Sequence, residues 1–112
     1  MSENLFDLTS QIALVTGASR GLGQYFARAL ARAGADLILT SRNQKDLTPF
    51  VAEIEAMGRR ALPLQLDVRD QASIERMAAA AEQAWGRVHI LVNKDFFVGY
   101  ILCASTHFDT IN

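Results

Sequence analysis

Thr16–Gly23 reads TGASRGLG, and what lies on either side of it decides the architecture. Before it, Gln11–Thr16 (QIALVT) is a short apolar run that stops at Gly17, as a buried strand followed by a turn does. After it, Gly21–Ala33 places Leu22, Phe26, Ala29, Leu30 and Ala33 on one helical face, and Gly34 follows as a C-terminal stop. Glycines alone are a weak signal, but glycines joining an apolar strand to an amphipathic helix are the signature of a phosphate-binding turn. Gly17 would give the tight exit from the strand, Gly21 a backbone with no Cβ in the way of a phosphate, and Gly23 close helix–sheet contact. The helix start would supply free N–H donors and partial positive charge. The other reading of the same residues is a tight strand-to-helix turn with no ligand.

The pattern repeats outward. Asp36–Thr40 (DLILT) predicts a second buried strand. Asn43 can cap the following helix, whose stripe is Leu47, Val51, Ile54 and Met57 and whose end is Gly58. Pro49 falls early enough in that helix to be tolerated. Ala61–Leu66 (ALPLQL) predicts a third strand, weakened by Pro63. Asp70 predicts an N-cap for a helix with Ile74, Met77, Ala81 and Ala84 inward and Gly86 at its end. Val88–Asn93 (VHILVN) predicts a fourth strand. Strands alternating with helices imply a parallel sheet, and strands apolar throughout imply helices on both faces. After Asn93 the regularity stops. Lys94–Asn112 reads KDFFVGYILCASTHFDTIN, in which a strand over Phe97–Cys103 is possible and no further helix is expected. The expected organisation is therefore a unit over residues 1–93 and an atypical tail over 94–112.

The end of the second strand carries the charge signal. Sites that hold NAD place a carboxylate there for the ribose 2′-hydroxyl. Here the strand ends Thr40-Ser41-Arg42, without an acid, and Arg20 lies inside the glycine turn. Arginines suit a 2′-phosphate, so NADP(H) is expected over NAD(H). At roughly 1.5–3 kcal/mol per charge-assisted bond, two arginines would give an upper range of ~10²- to 10⁴-fold, less for screened side chains. Both arginines also fit as solvated surface residues.

The totals set the frame for these motifs. The 112 residues are 50% hydrophobic and 21% charged, with a net charge of −1. That is a globular composition with no global bias toward nucleic acid or membrane, so phosphate binding must come from a local site. The single cysteine, Cys103, excludes an intrachain disulfide framework and fits a reducing compartment. Met1–Ser10 shows no basic segment leading into an apolar one, and the longest apolar run, Phe96–Ala104, falls far short of the ~20 residues that span a bilayer. A cytoplasmic location is expected. His89 and His107 have no clustered acids, so no metal site is expected, and His89 reads as a packed or edge histidine in the fourth strand.

Taken together, TGASRGLG, SRN at 41–43, LDV at 66–68 and ILVN at 90–93 resemble the short-chain dehydrogenase/reductase family, with motifs in order at successive strand ends over residues 6–93. The resemblance implies a Rossmann-type α/β fold, a parallel sheet covered by helices on both faces, and NAD(P)-dependent oxidation or reduction of small-molecule alcohols and carbonyls. It implies that Gly17, Ser19, Arg20, Gly21, Leu22 and Gly23 line the pyrophosphate and adenosine side. Ser41, Arg42 and Asn43 would surround the 2′-phosphate, Asp67 and Val68 would meet the adenine, and Asn93 would stand at the fourth strand end. Asp67 also fits as a turn residue, and Asn93 as a strand-end residue bonding nearby backbone. The Leu5-Phe6 lead-in resembles sugar-acid dehydrogenases and 3-oxoacyl reductases of the family.

The departures matter as much. The family continues Asn-Asn-Ala-Gly where this chain has Asn93-Lys94-Asp95-Phe96, and its tyrosine and lysine four apart have no counterpart: Tyr25 is followed four later by Ala29, Tyr100 by Ala104. No catalytic residue is therefore assigned, and the chain is expected to be inactive alone, the alternatives being a non-catalytic nucleotide-binding fragment or a non-functional truncated product. Gly99–Thr106 is similar to the family strand leading to a catalytic serine, which would give Ser105 or Thr106 that place; an unrelated apolar tail is the alternative. Family members are commonly homo-oligomers, through helices that the resemblance places beyond this region.

Overall fold

The computed structural model describes residues 7–92 in full and residues 93 and 96–103 as backbone. Strands β1 (Ile12–Val15), β2 (Asp36–Ser41), β3 (Ala61–Gln65) and β4 (Val88–Asn93) alternate with helices α1 (Gly21–Arg32), α2 (Thr48–Ala56) and α3 (Gln71–Trp85), and β5 (Phe96–Cys103) follows. A 3₁₀ turn, Gln44–Leu47, leads into α2. The strands form one sheet in the order β3-β2-β1-β4-β5. β1 to β4 are parallel, with Leu14 opposite Ile38 on one side and Leu91 on the other. The chain steps outward from β1 to β3 and then returns to β1's other side, so the strand order reverses between β1 and β4. Ligands of open α/β sheets bind at the carboxyl ends of strands near such a reversal.

Side-chain alternation divides the core into two layers. Ala13, Val15, Leu37, Leu39, Ile90 and Val92 pack with α1 and α2 through Ala27, Ala31, Phe50 and Ile54. Ile12, Leu14 and Ile38 face the other way, onto Met77 and Ala81 of α3. Leu14, Leu37, Ile38 and Leu39 are fully buried, each worth about 1.5–3 kcal/mol of burial. Both faces of the sheet are thus covered, as continuous apolar strands require. Pro63 is tolerated because β3 is an edge strand, bonded only to β2.

The inward helix faces differ from the expected stripes. In α1 the sheet-facing row is Gly23, Ala27 and Ala31, with Phe26 and Leu30 flanking it; Leu22 and Ala29 are exposed. Small side chains let the helix axis approach the sheet, whereas the larger residues fill its sides. In α2, Phe50 is buried beside Ile54, and Asn43 caps the 3₁₀ turn rather than α2 itself. In α3, Ser73 takes an inward place and Ala84 is exposed. Asp70 caps α3 as expected, its carboxylate accepting from the Ala72 N–H at 3.0 Å.

The possible strand over Phe97–Cys103 is present as β5. It runs antiparallel to β4, with Asn93 opposite Phe96 and Val88 opposite Cys103. Only Lys94 and Asp95 separate the two strands. Two residues suffice for a hairpin, whereas a parallel return needs a crossover of a dozen or more. Ser105, Thr106 and His107 lie outside the described residues. Among the described residues no helix is long and apolar enough to cross a membrane.

Candidate functional site

The carboxyl ends of β1, β2 and β3 open onto a cleft of about 860 Å³. Thr16, Gly17, Ser19 and Arg20 form one wall, Thr40–Asn43 with Asp46 the second, and Leu66–Arg69 the third. Backbone bonds continue the parallel ladder past the strand ends and fix these walls to one another. The Ala18 N–H donates to the Thr40 carbonyl, the Thr16 N–H to Val92 and the Leu66 N–H to Ser41, each at 2.9 Å.

The glycine turn is built as its sequence demands. Gly17 and Gly21 hold φ of 62° and 61°, a region costly to any residue with a Cβ. Open space surrounds Gly21 where a Cβ would stand, while at Gly23 a Cβ would overlap the Gly17 carbonyl oxygen. Gly23 therefore closes the turn onto its own backbone, in addition to lying on the sheet-facing row. The start of α1 has no side-chain cap and no acid in its first turn, whereas α3 has the Asp70 cap. Its unpaired N–H groups and dipole suit an anion.

Of the residues singled out in the sequence, Gly17, Ser19, Arg20, Ser41, Arg42, Asn43, Asp67 and Val68 line the cleft. Gly21, Leu22 and Gly23 form the first turn of α1 and do not line it. Asn93 ends β4, and its side chain lies outside the described residues. Arg20 and Arg42 are exposed and have no ion-pair partner among the described residues. Asn43 accepts from the Lys45 N–H at 3.1 Å, leaving its NH₂ group uncommitted by that bond.

Asp46 and Arg69 were not singled out in the sequence, and both line the cleft. Arg69 Nε lies 3.1 Å from Asp67 Oδ1, and the Arg69 N–H donates to the same oxygen at 3.0 Å. The Arg69 guanidinium, then the Arg69 N–H and more weakly Arg42, hold the Asp67 carboxyl below the usual carboxylate range. Asp67 is therefore an anion whose charge is already engaged. A carboxylate two residues before an arginine in a turn was the available sequence signal. Ser73 is a third omission: its buried hydroxyl accepts from the Asp67 N–H at 2.9 Å.

His89 belongs to the opposite end of the sheet. Its Nδ1 accepts from the N–H of Ile12, the first residue of β1, at 2.9 Å. Burial first, and the nearby Arg87 second, push its pKa below the ordinary value. Among the described residues no group of three or more His, Cys, Asp or Glu could hold a metal ion.

Comparison with known proteins agrees with this geometry. The family model described as short chain dehydrogenase matches residues 11–94. Gluconate 5-dehydrogenase of Gluconobacter oxydans is 42% identical over 90 residues, 80% of this chain and 35% of the relative. Among solved structures, the Pseudomonas aeruginosa RhlG/NADP active-site complex is 34% identical with a TM-score of 0.74, over 79% of this chain and 35% of that one. A short chain dehydrogenase/reductase from Burkholderia phymatum in complex with NAD is 32% identical with a TM-score of 0.71, over 78% and 31%. The chain spans about a third of the length of these relatives. A Rossmann-type sheet, a glycine turn closed by Gly23 and a family match over most of the sequence lead to one conclusion: this chain belongs to the short-chain dehydrogenase family of oxidoreductases.

Proposed function

We propose that the chain is the NADP(H)-binding portion of a short-chain oxidoreductase acting on small alcohols or carbonyls. Residues 1–93 are its dinucleotide-binding unit, and residues 94–112 are a tail of different character. The observation that carries this reading is the uncapped start of α1 beside a cleft that holds Arg20 and Arg42, neither in an ion pair among the described residues. An anion is the missing complement to both features. The first-turn N–H groups of α1, with Gly17, Ser19, Gly21, Leu22 and Gly23 shaping the approach, would hold a pyrophosphate. Ser41, Arg42, Asn43 and Arg20 would hold a 2′-phosphate, where an NAD site would have an acid. Asp67 and Val68 would border the adenine, and Asn93 would stand at the reacting end. The nicotinamide, when bound, supplies hydride exchange with a carbonyl carbon.

The charges that line the cleft differ in sign. Arg20 and Arg42 attract phosphate. Asp46 opposes them, and Asp67 is largely neutralised by Arg69. The residual charge favours a phosphate, and exposure limits how much. Resemblance to gluconate 5-dehydrogenase supports a sugar acid as substrate, with 3-oxoacyl groups the alternative. A cytoplasmic location belongs to the same reading, and a homo-oligomer would need the family's interface helices, which the resemblance places beyond this region.

A second reading is binding without turnover. The absence of a tyrosine and lysine four apart from these 112 residues favours it. Calorimetric titration with NADPH and NADH at matched, low ionic strength tests the cofactor reading. Tighter binding of NADPH supports it; equal or tighter binding of NADH overturns the NADP preference, and binding of neither overturns the cofactor site. Hydride transfer by the purified chain alone would overturn the second reading.

A further inference from the structure

We infer that Ser73 is a positioning residue for the adenosine wall of the cleft. The inference rests on the dinucleotide reading above and deepens it, because Ser73 neither lines the cleft nor belongs to any motif that suggested it. Its side chain is 1% exposed, on the sheet-facing side of α3. A buried hydroxyl in a helix needs partners, and this one has two outside its own helix. It accepts from the Asp67 N–H at 2.9 Å and lies 3.4 Å from Gln65 Oε1, to which it donates. The proton thus points to the end of β3 and a lone pair to the turn that follows.

That turn is closed from both sides. The Asp70 N–H donates to the Asp67 carbonyl at 3.0 Å, while the Asp70 carboxylate caps α3 through the Ala72 N–H. Asp67 is therefore held through its carbonyl by Asp70 and through its N–H by Ser73. With the main chain fixed, the Asp67 carboxylate meets the Arg69 N–H and guanidinium, and Val68 remains half-exposed at the cleft. An exposed valine beside an engaged carboxylate is a surface that an adenine ring would cover. Without the Ser73 hydroxyl, the Asp67 N–H loses its partner and residues 66–69 regain freedom that binding must then remove.

The test compares the whole chain with Ser73→Ala, Ser73→Thr and Ala81→Gly. Ala81 is buried on α3 beyond the turn, so Ala81→Gly lowers stability without touching the wall. Calorimetry uses NADPH and 2′,5′-ADP, the latter carrying only the adenosine end, and hydrogen exchange reads the Asp67 amide. Ser73→Ala is expected to weaken both ligands by a similar factor, about tenfold, and to accelerate Asp67 exchange. Ala81→Gly is expected to do neither, and Ser73→Thr to recover binding. Unchanged binding in Ser73→Ala, or an equal loss in Ala81→Gly, overturns the inference. A wild-type chain that binds neither ligand overturns the cofactor reading and with it this role; Asp67 exchange unchanged in Ser73→Ala overturns the positioning alone.

Discussion

A Cβ added to Gly23 would overlap the carbonyl oxygen of Gly17. The two glycines are thus one structural unit: the strained exit from β1 is closed by the first turn of α1. Because the obstacle is backbone, it cannot rotate away. Gly23→Ala is expected to destabilise the fold by about 1–3 kcal/mol, as overpacking does, and to weaken NADPH binding. Urea unfolding measures the first, and a variant as stable as wild type would show that the turn yields.

Arg42 is exposed and unpaired among the described residues, so its removal has little to disturb in the fold. Arg42→Ala is expected to weaken NADPH by roughly tenfold at low salt, to leave NADH nearly unchanged, and to leave the unfolding midpoint within experimental error. Equal losses for both dinucleotides would place Arg42 away from the 2′-phosphate.

Asp70→Ala removes the α3 cap and is expected to cost about 1 kcal/mol in denaturant unfolding. It keeps the Asp70 N–H bond to the Asp67 carbonyl, so cofactor binding is expected to fall less than in Ser73→Ala. The reverse order would assign the adenosine wall to the cap.

His89 gives a pH signature. Its folded pKa lies below the ordinary 6.5, because burial first and Arg87 second disfavour the cation. Above about 6.5 both folded and unfolded states hold it neutral, so it contributes no pH dependence there. As pH falls from about 6.5 through the folded value, the unfolded state takes up the proton first, and stability is lost. Urea midpoints between pH 7.5 and 5.5 are expected to fall more for wild type than for His89→Asn, whose amide oxygen can still accept. Identical slopes would rule out this linkage.

Much of the fold was legible along the chain because the signals are local. Gly17, Gly34, Gly58 and Gly86 stand at element ends with positive φ, Asp70 caps α3, and the apolar runs Gln11–Thr16, Asp36–Thr40 and Val88–Asn93 match β1, β2 and β4 to within a residue at each end. The site was legible where residues lie at strand ends: eight of the twelve residues singled out meet in one cleft. Ser73 was not, since a hydroxyl carries no hydrophobic weight and its partners lie six and eight residues away across a turn.

The sequence by itself determined the strand–turn–helix unit, the alternation of elements and the chemistry at each strand end. Each follows from backbone preference, periodicity and side-chain charge within a few residues. Only the tertiary structure decided that Ala27 and Ala31 join Gly23 in facing the sheet, because close approach selects small residues that a hydrophobicity pattern undervalues. It also decided that β5 returns antiparallel, because an apolar run encodes a strand but not its direction. And it decided that Arg69 pairs with Asp67 while Arg20 and Arg42 form no ion pair among the described residues, because ion pairing depends on distances that chain folding alone sets.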